Sequence, residues 1–269
     1  MNDGIAGLSM YDWPEVQKHN DIFWEMIVEN LNKQSITAPQ HLTRVKDHYE
    51  IWLSTDLLIG QTCGLNAVRE LQGRVEVLGA LDYGVEGCEP GQYRSVIVCR
   101  EEDEGRLVED FFNKIAAINS DDSYSGYGAL LATVNPFVEQ GKFFEKTEVC
   151  GSHRQSMKAI ANNKADIAAI DEVVWNLGID YEPAVEALRV IGKTQPMPAP
   201  PLITNWSNNS LRNVLNEAIE EAISLLDETT KSALQLYGYK PMNSDDYEPI
   251  SRQLNAVSYT HLTLPTILL

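Results

Sequence analysis

The most informative stretch of the chain is Asn119-Ser120-Asp121-Asp122-Ser123-Tyr124-Ser125-Gly126-Tyr127-Gly128. It follows a strand-like apolar run and opens an amphipathic helix. A helix start presents backbone N–H groups that lack acceptors, together with the positive end of the helix dipole. Adding the Ser123 and Ser125 hydroxyls makes a compact donor nest for a tetrahedral oxyanion, with no lysine required. The same residues also suit an ordinary serine N-cap preceded by an Asx turn. The G-K-[ST] ending of a nucleotide phosphate loop is absent.

Two further stretches carry candidate chemistry. Cys150-Gly151-Ser152-His153-Arg154-Gln155-Ser156 crosses from strand to helix, with Ser152 placed as the cap. His153 then sits in the first turn, where a ring N–H could reach the same anion; Arg154 or Ser156 could be the contact instead, and a first-turn histidine also suits plain surface. In Ala165-Asp166-Ile167-Ala168-Ala169-Ile170-Asp171-Glu172, Asp171 ends a buried strand, the edge at which open α/β sheets bind ligands. It could accept a hydrogen bond from an amine or from a protonated oxyanion, or simply cap the helix that follows.

The elements that must position these residues alternate short apolar runs with amphipathic helices, an α/β pattern. Strands are expected at 5–10, 56–60, 75–81, 93–100, 114–119, 146–150, 166–170 and 188–192. Asp12 is expected to cap the first helix, with Pro14 in its first turn and Glu15 completing a capping box. Residues 101–188 read as a lobe inserted between 1–100 and 189–256, entered and left by single strands, which together make a hinge. The segment 257–269 resembles a translated sequencing adapter and is left out of the fold reading.

Composition bounds the function. The net charge of −18 and the lack of Lys/Arg clusters argue against nucleic-acid binding. No run of residues suits a membrane helix, and the first residues read as a start without an export signal. None of the four cysteines forms a C-x-x-C pair, so no metal site is expected. Cys99 and Cys150 read as strand thiols, while a bridge between Cys63 and Cys88 stays open.

The run Gly151 to Trp175 resembles the phosphate/phosphite/phosphonate substrate-binding proteins of ABC transporters (the PhnD type). Ser123 to Gly126, Gly60-Gln61-Thr62-Cys63-Gly64, Tyr93-Arg94-Ser95-Val96-Ile97-Val98 and Met10-Tyr11-Asp12 fit the same resemblance, which covers about residues 4 to 240. It implies a two-lobed type II periplasmic-binding-protein fold, each lobe a mixed sheet flanked by helices, with the ligand between the lobes. By position, Ser123, Tyr124, Ser125 and His153 would hold the anion and Asp171 would read its substituent. Tyr11, Gln61 and Tyr83 would close from the first lobe. It further implies a monomer that binds without chemistry or cofactor and hands a phosphonate, phosphite or phosphate to a membrane permease. The location implied is periplasmic, or cytoplasmic if the signal-less start is genuine. Tyr124 departs from the family's usual small hydroxyl residue. The other reading is a cytosolic enzyme or ligand sensor on the same fold, with His153 and Asp171 as its acid–base pair.

Overall fold

The computed structural model describes residues 4–138, 142–206 and 209–257. The apolar, β-branched runs form β1 (Ile5–Leu8), β2 (Leu57–Gln61), β3 (Glu76–Asp82), β4 (Gln92–Tyr93), β5 (Ser95–Arg100) and β6 (Ile115–Ile118). They continue as β7 (Lys146–Val149), β8 (Ile167–Asp171), β9 (Leu188–Lys193), β10 (Met197–Pro198), β11 (Pro201–Thr204) and β12 (Gly238–Pro241). The chain divides into two compact units, Met1–Tyr93 with Pro196–Pro249 and Arg94–Gln195 with Ile250–Leu269.

The first unit holds a mixed sheet in the order β1-β2-β11-β3-β12. β1 and β2 are parallel; β11 and β12 run antiparallel to their neighbours. β4 and β10 form a separate antiparallel pair. The helix Gln17–Lys33 buries Phe23, Trp24, Ile27 and Leu31 at helical spacing, and packs on the helix Asn209–Leu225. Burial of each such large side chain is worth about 1.5–3 kcal/mol.

The second unit holds a mixed sheet in the order β7-β6-β8-β5-β9. β7, β6 and β8 are parallel, whereas β5 runs antiparallel to β8 and β9. Ile97, Ile118, Leu130, Phe143 and Ile167 are fully or nearly fully buried in its core. Three parallel strands put their C-terminal ends at one edge, and each is followed there by the start of a helix. Ser123 after β6, His153 at the helix start after β7 and Asp171 at the end of β8 lie along that edge, so topology alone gathers the three candidate stretches.

The structure differs from the sequence expectations in several places. β5 and β9, read as parts of the first lobe, belong to the second unit because β5 pairs on one side with β8 and on the other with β9. The chain also passes between units a third time, at Pro249/Ile250, in addition to the two strand crossings. Val257, set aside with the tail, is buried in the second unit's core; residues 258–269 lie outside the described residues. Asp12 caps no helix. Its carboxylate takes Arg44 Nε at 2.6 Å and Asn20 Nδ2 at 2.9 Å, and the helix starts only at Gln17. Cys63 and Cys88 are both thiols, not bridged. Among the described residues no helix is long and apolar enough to cross a membrane.

Candidate functional site

The turn after β6 is built by Ser123. Its extended backbone stops the loop, and its Oγ accepts from the Gly126 N–H at 3.2 Å. Gly128 N–H then bonds the Ser123 carbonyl five residues back, at 3.1 Å, and Ala129 N–H does the same to Tyr124. Tyr124–Gly128 is therefore one wide π turn, which continues as the α-helix Ala129–Val134. A π turn spreads the first N–H groups over a broader mouth than an α turn, and such turns recur at functional sites. Gly126 is required here: a Cβ would lie 1.9 Å from Asn119 Oδ1 and 3.0 Å from His153 Cε1.

The turn after β7 brings His153 to the same place. Ser152 caps the helix His153–Ala161 by accepting from Gln155 N–H at 3.2 Å. The His153 ring, 9% exposed, places Nε2 2.8 Å from Ser125 Oγ. Burial pushes its pKa down to about 4, outweighing the Ala169 backbone, which favours the protonated ring. His153 is thus a neutral imidazole at ordinary pH. Its Nδ1 is buried as well and makes no well-formed hydrogen bond, although the Ala169 backbone acts on the ring.

The third component arrives through the sheet. Ser95 and Asp171 are register partners across β5 and β8, and Ser95 Oγ donates to the Ser125 carbonyl at 2.9 Å. Ser95 therefore links the strand end carrying Asp171 to the π turn. Asp171, 3% exposed, caps the helix Glu172–Tyr181 by accepting from Val173 N–H at 2.9 Å. Beside it, Glu172 takes both Arg94 (2.8 Å) and Lys193 (2.7 Å). Arg154, next to His153, is engaged by Glu182 at 2.7 Å.

Of the expected contacts, Ser123, Ser125, His153 and Asp171 come together at one edge of the second unit. Tyr124 lies in the turn, and its hydroxyl donates to Gln253 in the helix Glu248–Ala256. Tyr11, Gln61 and Tyr83 form a cluster of their own in the first unit. Gln61 Nε2 donates to the Tyr83 hydroxyl at 2.8 Å, and the Tyr11 and Tyr83 rings meet edge-on at 4.8 Å. Sequence reasoning missed Ser95 as a brace and Gly126 as a steric requirement; both act through partners distant in sequence. Among the described residues no cluster of His, Cys, Asp or Glu could hold a metal ion.

With the geometry in place, comparison with known proteins is informative. Residues 56–253 match the family described as ABC transporter, phosphonate, periplasmic substrate-binding protein. No curated protein sequence is close enough to count as a match. Among solved structures, the chain is similar to PhnD1 from Prochlorococcus marinus in complex with methylphosphonate, with TM-score 0.72, 18% identity and coverage of 94% of this chain and 99% of that one. A binding protein component of an ABC phosphonate transporter from Pseudomonas aeruginosa gives TM-score 0.70 at 18% identity, covering 93% and 84%. The periplasmic aliphatic sulphonate binding protein SsuA from Escherichia coli gives 0.61 at 13%, covering 94% and 85%.

Proposed function

The chain belongs to the periplasmic substrate-binding family of phosphonate ABC transporters, and on that premise we propose that it captures a small phosphorus oxyanion at the second unit's π turn. Ser123, Ser125, the backbone N–H groups of the turn and His153 hold the anion, and Asp171 faces its remaining oxygen or substituent. Tyr11, Gln61 and Tyr83 supply contacts from the first unit. The protein works as a monomer in the periplasm and passes the anion unchanged to a membrane permease. The observation that carries this reading is the neutral His153 ring. It is held on Ser125 at 2.8 Å and buried, beside a helix start built of small donors.

A serine and a histidine at that distance would also begin a nucleophile–base pair. Such a base needs a third group to orient it and a pKa near the working pH. His153 has neither: its Nδ1 carries no carboxylate, and burial holds its pKa near 4. Binding is the better account.

The test is a thermal-shift panel of phosphate, phosphite, methylphosphonate, 2-aminoethylphosphonate, sulfate and small carboxylates. A ligand present at a hundred times its Kd adds about 2.7 kcal/mol to the folded state. A rise in Tm with a phosphorus oxyanion is expected. A folded protein indifferent to every phosphorus compound contradicts the proposal.

A further inference from the structure

A π turn is a rare way to open a helix, and its local hydrogen bonds do not select it. Gly128 N–H bonds the Ser123 carbonyl, and Ala129 N–H bonds the Tyr124 carbonyl. An α turn would move each bond by one residue, to Tyr124 and Ser125, making as many bonds in a tighter ring. Contacts from elsewhere in the fold must therefore favour the wide form. From β5, Ser95 Oγ donates to the Ser125 carbonyl at 2.9 Å, supplying a donor to the group that an α turn would give to Ala129.

The second set of contacts comes from the C-terminal helix Glu248–Ala256. Ile250, Leu254 and Val257 are buried, and with Gln253 they fall on one face at i, i+3, i+4 and i+7. Gln253 accepts from the Tyr124 hydroxyl, 129 residues away along the chain. Leu254 packs so closely on Gly128 that a Cβ there would stand 2.9 Å from Leu254 Cδ2 and 3.2 Å from the Tyr124 ring. Val257 is buried in the same core as Tyr127. Tyr124 and Gly128 are the first and last residues of the π turn. The helix thus grips the turn at both ends, and Ser125 and Gly126 lie between those grips, against His153.

On the premise that the π turn holds a small oxyanion, we propose that Gln253 and Leu254 are positioning residues of that site: the C-terminal helix keeps the turn in its wide form, and anion affinity depends on that hold. Neither residue has to touch the ligand. When the grip on Tyr124 is lost, the turn relaxes toward the α form, and the Ser125 hydroxyl and the N–H groups around it no longer converge. Binding must then rebuild the wide turn, so the apparent affinity falls with the fraction of molecules that hold it. Tyr124 and Gln253 act as one unit in this, because each serves the site only through the other.

The experiment is titration calorimetry of the full chain with methylphosphonate, on the native protein, Tyr124→Phe, Gln253→Leu and the double variant. Amide exchange of the same proteins without ligand accompanies it. Each single variant should fold and should raise Kd about three- to tenfold, the worth of one net hydrogen bond. The double variant should bind within about twofold of the weaker single, since both changes remove the same contact. Without ligand, exchange at the Gly128 and Ala129 amides should quicken in each variant by more than it does in β6 and β8. A general loss of stability would instead quicken all of them together. Native-like affinity in both single variants, additive losses in the double variant, or exchange at Gly128 and Ala129 that quickens no more than in β6 and β8 would each overturn the inference while leaving the anion site standing. Absence of methylphosphonate binding by a folded native protein overturns both.

Discussion

Two strand-to-helix turns, one in each unit, solve the same electrostatic problem in opposite ways. After β1, the turn contains Asp12, and the chain satisfies it internally: Arg44 bonds Asp12 through two nitrogens and also reaches Asp21 at 2.8 Å. After β6, the turn offers only neutral donors, and the buried His153 ring held on Ser125 beside it is neutral too. The first turn is closed by its own ion pair. The second, on the function proposed above, takes its ion from outside. An anion site therefore need not be marked by free cations, and an arginine beside a helix start can be evidence that the position is already filled.

The comparison breaks most sharply at Gly126. Gly126→Ala drives a methyl into Asn119 and His153, so stability should fall by about 1–3 kcal/mol and the anion-induced rise in Tm should disappear. Gly192→Ala, whose nearest neighbours stand at 3.8 Å or more, should change stability by less than about 0.5 kcal/mol and spare binding. Chemical denaturation with and without ligand checks both.

A next effect comes from His153. In the folded protein the ring stays neutral down to about pH 4, whereas in the unfolded chain it gains a proton near its ordinary value of 6.5. Between those values the unfolded state binds more protons, so stability is complete above about 6.5 and is lost as pH falls toward 4. The loss is on the order of 3 kcal/mol. Urea unfolding at several pH values should show this slope in the native protein and its absence in His153→Asn.

The smallest effect sharpens the comparison from the other side. Arg44→Met should cost the first unit about 1 kcal/mol, as a partly exposed ion pair does, and should leave anion affinity unchanged. A loss of affinity would mean that Arg44, not the neutral turn, supplies the attraction.

How far the sequence could be read follows from where each partner lies. Ser123, Ser125 and His153 were legible because caps and strand ends are local signals, and a strand of alanine and isoleucine ending in Asp171 marks an edge within a few residues. The failures are non-local. Asp12 looks like a cap until Arg44, 32 residues away, claims it. The π turn has the same apolar spacing as an α turn, and only the Ser123 carbonyl accepting from Gly128 reveals it. Ser95 became part of the site through strand register. The unit boundary moved because β5 chooses β8 and β9 as partners, a choice that its composition does not record.

The central claim is that neutral donors at the π turn hold the anion, and calorimetry with methylphosphonate on Ser125→Ala and His153→Ala tests it most directly. Each variant should fold and should lose about 1–3 kcal/mol of binding free energy, a rise in Kd of roughly 5- to 150-fold. Native-like affinity in both variants would contradict the account and place the anion elsewhere.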